Sequence, residues 1–314
     1  TEKEIECFGV KDGDLLFQRS SETLEDVGRA NVYMDNRTAI YGGFVIRGRK
    51  IGNYDPLFFK YLLATPLARK RTCRMGAGAQ HFNIGQEGLS KISLYFPSIE
   101  EQRKIAGFLS LIDERIATQN KIIEDLKKLK SAISLKMLHS DSWKQFKIKD
   151  IASIGRGRVI SSVEISQQDN PLYPVYSSQT SNEGIMGYLD NFMFEGEYIN
   201  WTTDGANAGT VFYRDGKFNC TNVCGLLKLG DEFDTYFVSL VLAEATKKYV
   251  STNLANPKLM NNTMGSIQIR LPKLKEQKRI SIAFRKLREL LEVHNSLLTE
   301  YSKLKQYLLS QMFI

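Results

Sequence analysis

"PSIEEQRKI" occupies Pro97–Ile105 and "PKLKEQKRI" occupies Pro272–Ile280, nearly the same phrase written twice, 175 residues apart. Set against each other at that offset without a gap, residues 97–138 and 272–313 share Pro97/Pro272, Glu101/Glu276, Gln102/Gln277 and Ile105/Ile280. Further on they share Glu114/Glu289, Asn120/Asn295, Lys128-Leu129-Lys130/Lys303-Leu304-Lys305 and Met137/Met312. After its proline each copy contains no further proline, and Gly107 is the one glycine. Such a stretch is expected to form a helix about 60 Å long at 1.5 Å per residue.

Its apolar positions step by four and three, the pattern of a coiled-coil seam. In the first copy these are Ile105, Leu109, Ile112, Ile116, Ile123, Leu126, Ile133 and Met137. In the second they are Ile280, Phe284, Leu287, Leu291, Leu298, Tyr301, Leu308 and Met312. Two layers are polar in both copies, Gln119 and Lys130 against His294 and Lys305. Polar seam residues lower stability and fix register. An alternative at one layer turns Lys130 outward and lets Leu129 fill it. The plainer reading makes both stripes helix faces packed on a domain. The seam reading makes each copy the other's antiparallel partner, with a globular domain at each end of a shared rod.

The similarity continues upstream with small gaps. "DPLFFKYLLA" from Asp55 matches "DTYFVSLVLA" from Asp234, each read as a helix capped by an aspartate, with Pro56 at the first helical position. "DGDLLF" from Asp12 matches "EGEYIN" from Glu195, and "NVYMD" from Asn31 matches "TVFYR" from Thr210. The chain thus reads as two copies of one unit, a mixed globular domain followed by a long helix. Thr1 falls near the counterpart of residue 184, so the equivalent of residues 143–183 is expected to be missing from the first copy. A lost beginning and a shorter first domain both fit. The expected division is 1–94, a first and partial domain; 95–140, a long helix; 141–269, a second domain; and 270–314, a second long helix.

A chain of 314 residues has room for two cores. No apolar run reaches the roughly 18–20 residues that span a bilayer, no signal-peptide pattern opens the chain, and "YFVSLVLAEA" from Tyr236 reads as a buried helix. Cys7, Cys73, Cys220 and Cys224 fit no disulfide framework. Cys220 and Cys224 lack the further ligands a zinc site needs, so packed free thiols are expected and no metal. The net charge of +8 divides unevenly: +3 over residues 1–99, +2 over 100–139, −2 over 140–272 and +5 over 273–314. No segment is a basic tail, so an argument for DNA must rest on local clusters.

The second domain reads as short strands and polar turns, in "YPVYSSQTSNEG" from Tyr173, "GEYINWTTDGANAGTVFY" from Gly196 and "GKFNCTNVCGLLKL" from Gly216. Three loops carry groups suited to base edges: Ser177, Ser178, Gln179 and Asn182; Thr202, Thr203, Asp204 and Asn207; and Asn256, Lys258, Asn261 and Asn262. Arg156 and Arg158 in "GRGR" have glycines that would let backbone and guanidinium approach phosphate. In the first domain Arg19, Arg29, Arg47, Arg49, Lys50, Arg69, Lys70, Arg71 and Arg74 make the electrostatic case. Polar turns are commonly only solvated turns, and "ARKRTCR" also reads as an exposed helix end. No catalytic set is visible: there is no Walker loop, no G-x-G-x-x-G between strand and helix, and no N-P-P-aromatic element. The pattern is that of a module that binds and positions.

With these motifs on the page, the chain resembles the specificity subunit of type I restriction–modification systems. The twofold helix phrase is similar to that family's conserved helical regions. "DLLFQRSSETLEDVGRANVY", "YPVYSSQTSNEGIMGYLDN" and "GEYINWTTDGANAGTVFYRDGKFNCTNVCGLLK" are similar to its target-recognition domains. The resemblance implies an α+β fold: two mainly β recognition domains separated by two long antiparallel helices that form a coiled coil, with pseudo-two-fold symmetry. It implies a non-catalytic, cytoplasmic bacterial or archaeal subunit that reads a bipartite site on double-stranded DNA. It further implies docking of two methyltransferase subunits that use S-adenosylmethionine, and of a restriction subunit that uses ATP and Mg. No cofactor is expected on this chain itself, and no membrane partner. Two rival readings are a coiled-coil scaffold whose heads bind protein, and the targeting region of a longer methyltransferase.

Overall fold

The computed structural model describes residues 2–251 and 256–313. The chain divides into two compact units, Thr1–Glu124 with Glu292–Ile314, and Asp125–Leu291. The first long helix, Ile99–Met137, and the second, Leu274–Gln311, therefore each carry residues of both units.

In the second unit an antiparallel sheet runs Val211–Arg214, Tyr198–Thr202, Cys224–Leu229, Ala152–Arg156. A second sheet runs Ile185–Leu189, Tyr173–Tyr176, Lys217–Cys220, Phe194–Glu195. The helix Thr235–Ala245 packs on the first sheet, and Ile199, Trp201, Leu227, Phe237 and Leu242 form the centre of the core. A strand pair, Lys144–Lys147 with Gln268–Leu271, leads into the second long helix. Cys220 and Cys224 are free thiols within a core of Phe218 and Leu226, and burial pushes both thiols up.

The first unit repeats part of this plan bond for bond. Its sheet runs Ala30–Val32, Leu15–Gln18, Val45–Gly48. Leu15 pairs with Val32 and Gly48, as Ile199 pairs with Tyr213 and Leu227. The Gly28 N–H donates to the Gln18 carbonyl at 2.8 Å, as Gly209 donates to Thr202 at 2.9 Å. Both glycines sit at positive φ, 67° and 82°. A Cβ at either would lie 2.5 Å from a methyl group, of Thr72 or of Val250, so the turn requires glycine on both counts. Ile84 donates to the Arg19 carbonyl at 2.9 Å, as Leu259 donates to Thr203 at 2.8 Å.

The twice-written glutamine explains the phrase that contains it. Gln102 donates to the Pro97 carbonyl at 2.8 Å, and its own side-chain carbonyl accepts from the Asp55 N–H at 2.9 Å. Gln277 does the same with Pro272 at 2.8 Å and Asp234 at 3.0 Å. Each aspartate in turn caps its helix, Asp55 accepting from Phe58 and Asp234 from Phe237. Both glutamines are 1% exposed. One buried carboxamide thus ties the foot of each long helix to the first turn of its domain's helix.

Every expected seam residue is buried or half-buried. Within the first unit, Ile105, Leu109, Ile112 and Ile116 share a cluster with Leu308, Leu309 and Phe313, and also with Phe58, Tyr61 and Leu62 of the domain helix Pro56–Ala64. The seam and the packed face are therefore the same stripe: its first turns face both the domain and the other helix. Gln119 meets His294 at 2.7 Å, and Lys305 donates to Asp113, which fixes the pairing as antiparallel. In the second unit Ile133 and Met137 share a core with Ile280 and Phe284. Leu129 is 48% exposed and does not fill the layer of Lys130. Its position on the helix turns it outward, and Lys130 keeps the half-buried place.

Asp113 is the acidic centre of a polar layer. It accepts from Tyr61 at 2.9 Å and from Lys305, with Lys60 at 3.6 Å. Burial pushes its carboxyl up, but the Lys305 and Tyr61 hydrogen bonds and the two ammonium charges outweigh that and hold it below its ordinary value. The Tyr61 hydroxyl is pushed up, first by burial and then by Asp113.

Gln277→Leu strands a buried N–H and a buried carbonyl, and we expect a loss of about 2–4 kcal/mol in chemical denaturation. A second expectation concerns acid. The folded Asp113 carboxyl lies below the unfolded value of about 3.9, so its contribution is fully present above that pH and is lost as pH falls through the folded value. The stability difference between wild type and Asp113→Asn should stay level from about pH 7 to about pH 5 and shrink below about pH 4, as read by urea denaturation across that range.

Candidate nucleic-acid interface

In the second unit the three polar loops meet. The Asn207 side chain donates to the Ser178 carbonyl at 3.2 Å, joining the loop after Tyr173–Tyr176 to the loop after Tyr198–Thr202. Asp204 forms a β-bridge with Lys258, and the Gly205 N–H donates to the Pro257 carbonyl at 3.0 Å, joining that loop to the third. Arg156, at the end of its strand, reaches Asn261 at 3.4 Å. Beneath them Trp201, fully buried, donates its indole N–H to the Leu259 carbonyl at 2.8 Å and holds the third loop down. The ring lies flat over Gly225, where a Cβ would be 2.1 Å from it.

The loop Ser177–Gly184 is held in an uncommon shape. Asn182 and Glu183 have φ of 48° and 51°, the left-handed region that side chains other than glycine enter reluctantly. Arg214 holds them there: it donates to the Glu183 carbonyl at 2.6 Å from a buried position, its guanidinium 3.6 Å from the centre of the Tyr176 ring. Burial pulls the Arg214 pKa below the ordinary arginine value. The Glu183 carboxylate meets Arg288 of the second long helix at 3.3 Å, and Gln179 donates to the Ile185 carbonyl. Sequence reading passed over Arg214 and Trp201. The signal available was an arginine beside an Asp-Gly turn and a tryptophan within an otherwise polar run.

Not every residue singled out in the sequence faces outward. Thr202 and Thr203 are each 1% exposed. Thr202 ends the central strand, and the Thr203 hydroxyl donates to the Val223 carbonyl at 3.0 Å, so both belong to the sheet rather than to a reading surface. Arg158 is locked in a two-pronged pair with Glu164, and that hydrogen bond holds the Glu164 carboxyl below its ordinary value. Gly157 serves a different approach from the one expected: a Cβ there would lie 2.0 Å from the Cys220 carbonyl oxygen, so the glycine admits protein backbone. Ser177, Ser178, Gln179, Asn182, Asp204, Asn207, Lys258, Asn261 and Asn262 stand at least partly exposed on the joined loops.

In the first unit Arg29 pairs with Asp26 at 2.6 Å, and Arg47 donates to the Gly9 carbonyl with its guanidinium over Tyr41. Arg19, Arg49 and Arg74 make no side-chain hydrogen bond or ion pair among the described residues and remain available. Arg69 is turned inward, donating to the Glu25 and Val27 carbonyls.

A duplicated scaffold whose loops gather polar and basic groups defines a nucleic-acid specificity module, and the comparisons agree. The family described as "Type I restriction modification DNA specificity domain" matches residues 2–128 and 140–301. The chain belongs to that family and is a type I restriction–modification specificity subunit, a DNA-recognition component and not itself an enzyme. A putative type I specificity subunit of Mycoplasma pneumoniae is 36% identical over 206 residues, 63% of this chain and 85% of that relative. The N-terminal part of another from the same organism is 46% identical over 140 residues, 44% of this chain and 74% of the relative. Among solved structures, the type I specificity subunit of M. genitalium superposes with a TM-score of 0.74 at 17% identity, over 98% of this chain and 84% of its own, which shows a common fold. A chain from a structure on complex assembly and conformational transition of the type I system superposes at 0.56 with 14% identity, over 96% of this chain and 81% of its own. No helix among the described residues is long and apolar enough to cross a membrane.

Thr203→Val separates packing from reading. Losing one buried hydrogen bond should lower stability by about 1 kcal/mol in denaturant unfolding while leaving the methylated DNA motif unchanged in the assembled system.

Proposed function

We propose that each unit reads one part of a two-part double-stranded DNA site, the second through the joined loops around Ser178, Asn207 and Lys258 and the first through Arg19, Arg49 and Arg74. The observation that carries this reading is the convergence of three loops on a repeated scaffold, fixed from below by Trp201 and Arg214. Asn and Gln side chains suit adenine and arginine suits guanine. Two unlike loop sets on one scaffold would read an asymmetric site, and the length of the paired helices would set the spacer between its parts.

Partner docking follows from the apolar residues that the seam leaves over. On the long helices Phe108, Leu111, Leu135, Ile282, Leu304 and Tyr307 are exposed. We assign them to two methyltransferase subunits carrying S-adenosylmethionine, with an ATP- and Mg-dependent restriction subunit joining the same assembly. The place of action is then the cytoplasm of a bacterial or archaeal cell, where the DNA is.

Residues 140–272 carry a net charge of −2, so the second recognition domain supplies few phosphate contacts of its own. We expect weak binding of duplex by the isolated chain, with a shallow salt dependence, and tight binding once methyltransferase is added, both read by electrophoretic mobility across a salt series. Nanomolar specific binding by the chain alone at physiological salt would overturn this. Lys258→Ala should reduce the salt slope of the complex by about 1 without changing the motif. Leu111→Lys with Tyr307→Lys should abolish co-purification with methyltransferase. Methylation mapping in a host carrying the full system should return a two-part adenine motif, and a motif without a spacer would refute the reading.

A further inference from the structure

The joined loops of the second unit carry polar side chains with one exception. Met260 is 41% exposed and, among the described residues, is the one large apolar side chain exposed on those three loops. Its backbone is held from both sides. Leu259 before it is fully buried, with its N–H on the Thr203 carbonyl at 2.8 Å and its own carbonyl accepting from the Trp201 indole. The Met260 carbonyl accepts from the Met264 N–H at 2.9 Å, at the start of the short helix Asn261–Ser266.

The fold does not call for methionine at this position. A residue that opens a helix is favourably Ser, Thr, Asp or Asn, whose side chain accepts a free N–H of the first turn, and Met260 supplies no such bond. Its counterpart in the first unit, 175 residues earlier, is Gly85, which also opens a short helix and follows an Ile84 bonded as Leu259 is. The backbone is extended at both, with φ −82° and ψ 164° at Met260 and φ −101° and ψ 170° at Gly85, so it accepts any side chain. Methionine there forgoes a cap and, half in water, recovers little by burial. A local preference broken with no gain inside the fold marks a residue placed for what it meets outside.

The group beside it supplies the second half of the chemistry. Arg156 ends the strand Ala152–Arg156 with its Nη2 3.9 Å from the Met260 sulfur and 3.4 Å from the Asn261 side-chain oxygen. It has no carboxylate partner, and its Nε and Nη1 make no hydrogen bond among the described residues, unlike Arg158, which is committed to Glu164. We propose that Arg156 and Met260 read two adjacent base pairs in the major groove. The guanidinium takes the O6 and N7 acceptors of a guanine, and the thioether methyl packs on the C5 methyl of the neighbouring thymine. Stacked bases are about 3.4 Å apart, close to the separation of the two side chains. The unbranched thioether adapts its reach to the methyl. The inference rests on the reading that the second unit contacts bases through its joined loops, and it names the bases that one corner of them takes.

The test uses the complex of this chain with its methyltransferase, on duplexes carrying the mapped motif. Ser178→Ala with Asn262→Ala first locates the part that the second unit reads, as the part whose bases relax. Within it each thymine is replaced singly by deoxyuridine, which deletes the C5 methyl, and each guanine by 7-deazaguanine, which deletes the N7 acceptor. One thymine should lose about fourfold in affinity, the worth of one buried methyl group, and the guanine beside it about tenfold. Met260→Ser should bind the thymine and deoxyuridine duplexes equally and keep the guanine effect, and Arg156→Met should do the reverse. Since serine caps a helix, Met260→Ser should unfold at an equal or higher denaturant concentration, which a methionine serving only the fold would not allow. The inference is overturned if no adjacent thymine and guanine respond, if either variant keeps the discrimination assigned to the residue it removes, or if Met260→Ser unfolds more readily. If Ser178→Ala with Asn262→Ala relaxes no base, the reading beneath the inference fails with it.

Discussion

A single buried carboxamide, used once in each copy, is the joint on which the rest depends. Gln102 and Gln277 each satisfy the carbonyl of the proline that opens the helix and the N–H of the aspartate that opens the domain helix. The net gain from such bonds is modest, but leaving their partners unmet away from water is expensive, so the arrangement has one good solution. From that joint the order runs outward without a flexible step. In the second unit the aspartate caps the helix Thr235–Ala245, the helix packs on the sheet, and the sheet's Trp201 holds the third polar loop. Whatever the loops touch, they touch it at a position referred back to the long helix.

The second constraint is register. When two equivalent helices pair antiparallel, one layer brings a residue against its own counterpart, and here that layer is Gln119 with His294. Both side chains can donate and accept, so a polar residue at the centre of the seam need not be stranded. Away from that layer the copies have diverged. Asp113 takes the Lys305 ammonium, yet the counterpart of Asp113 is Arg288 and that of Lys305 is Lys130, a combination that would repel. Arg288 instead reaches Glu183 and steadies the left-handed loop. The same position on the repeat closes the helix pair in one unit and braces a loop in the other.

The repeat, the helices, the caps and the seam were legible because each is local or periodic: proline, then aspartate or glutamate, then a step of four and three. The reading surface was legible only as to which loops it would use. "NWTTDG" reads as a polar turn, but its first three residues end a strand with neighbours on both sides, and Thr203 just beyond it donates its N–H to the Val223 carbonyl, so that Thr202 and Thr203 are buried. No spacing rule announces that Gly225 lies opposite Trp201 and lets the ring lie flat across the sheet. Arg214 escaped notice for a related reason. Arginine beside Asp-Gly suggests a solvated turn, whereas its guanidinium lies between the ring of Phe212 on its own strand and that of Tyr176 on the second sheet. Burial in a β-unit depends on which strands become neighbours, and that is a long-range fact.

Duplication with divergence also bears on what such a protein can discriminate. Hydrogen bond by hydrogen bond, Arg19 occupies the place of Thr203 and Arg29 the place of Thr210. At the matching points of one backbone, the first unit therefore carries long cations and the second carries short hydroxyls, that of Thr203 bound to the Val223 carbonyl. A scaffold repeated with identical loops would present the same chemistry twice and would favour a palindrome. One whose equivalent positions differ in charge and reach presents two unlike surfaces. The two units thus differ in what they carry at those few positions, while the shared backbone, the capped helices and the two glutamines build both to the same mechanical standard.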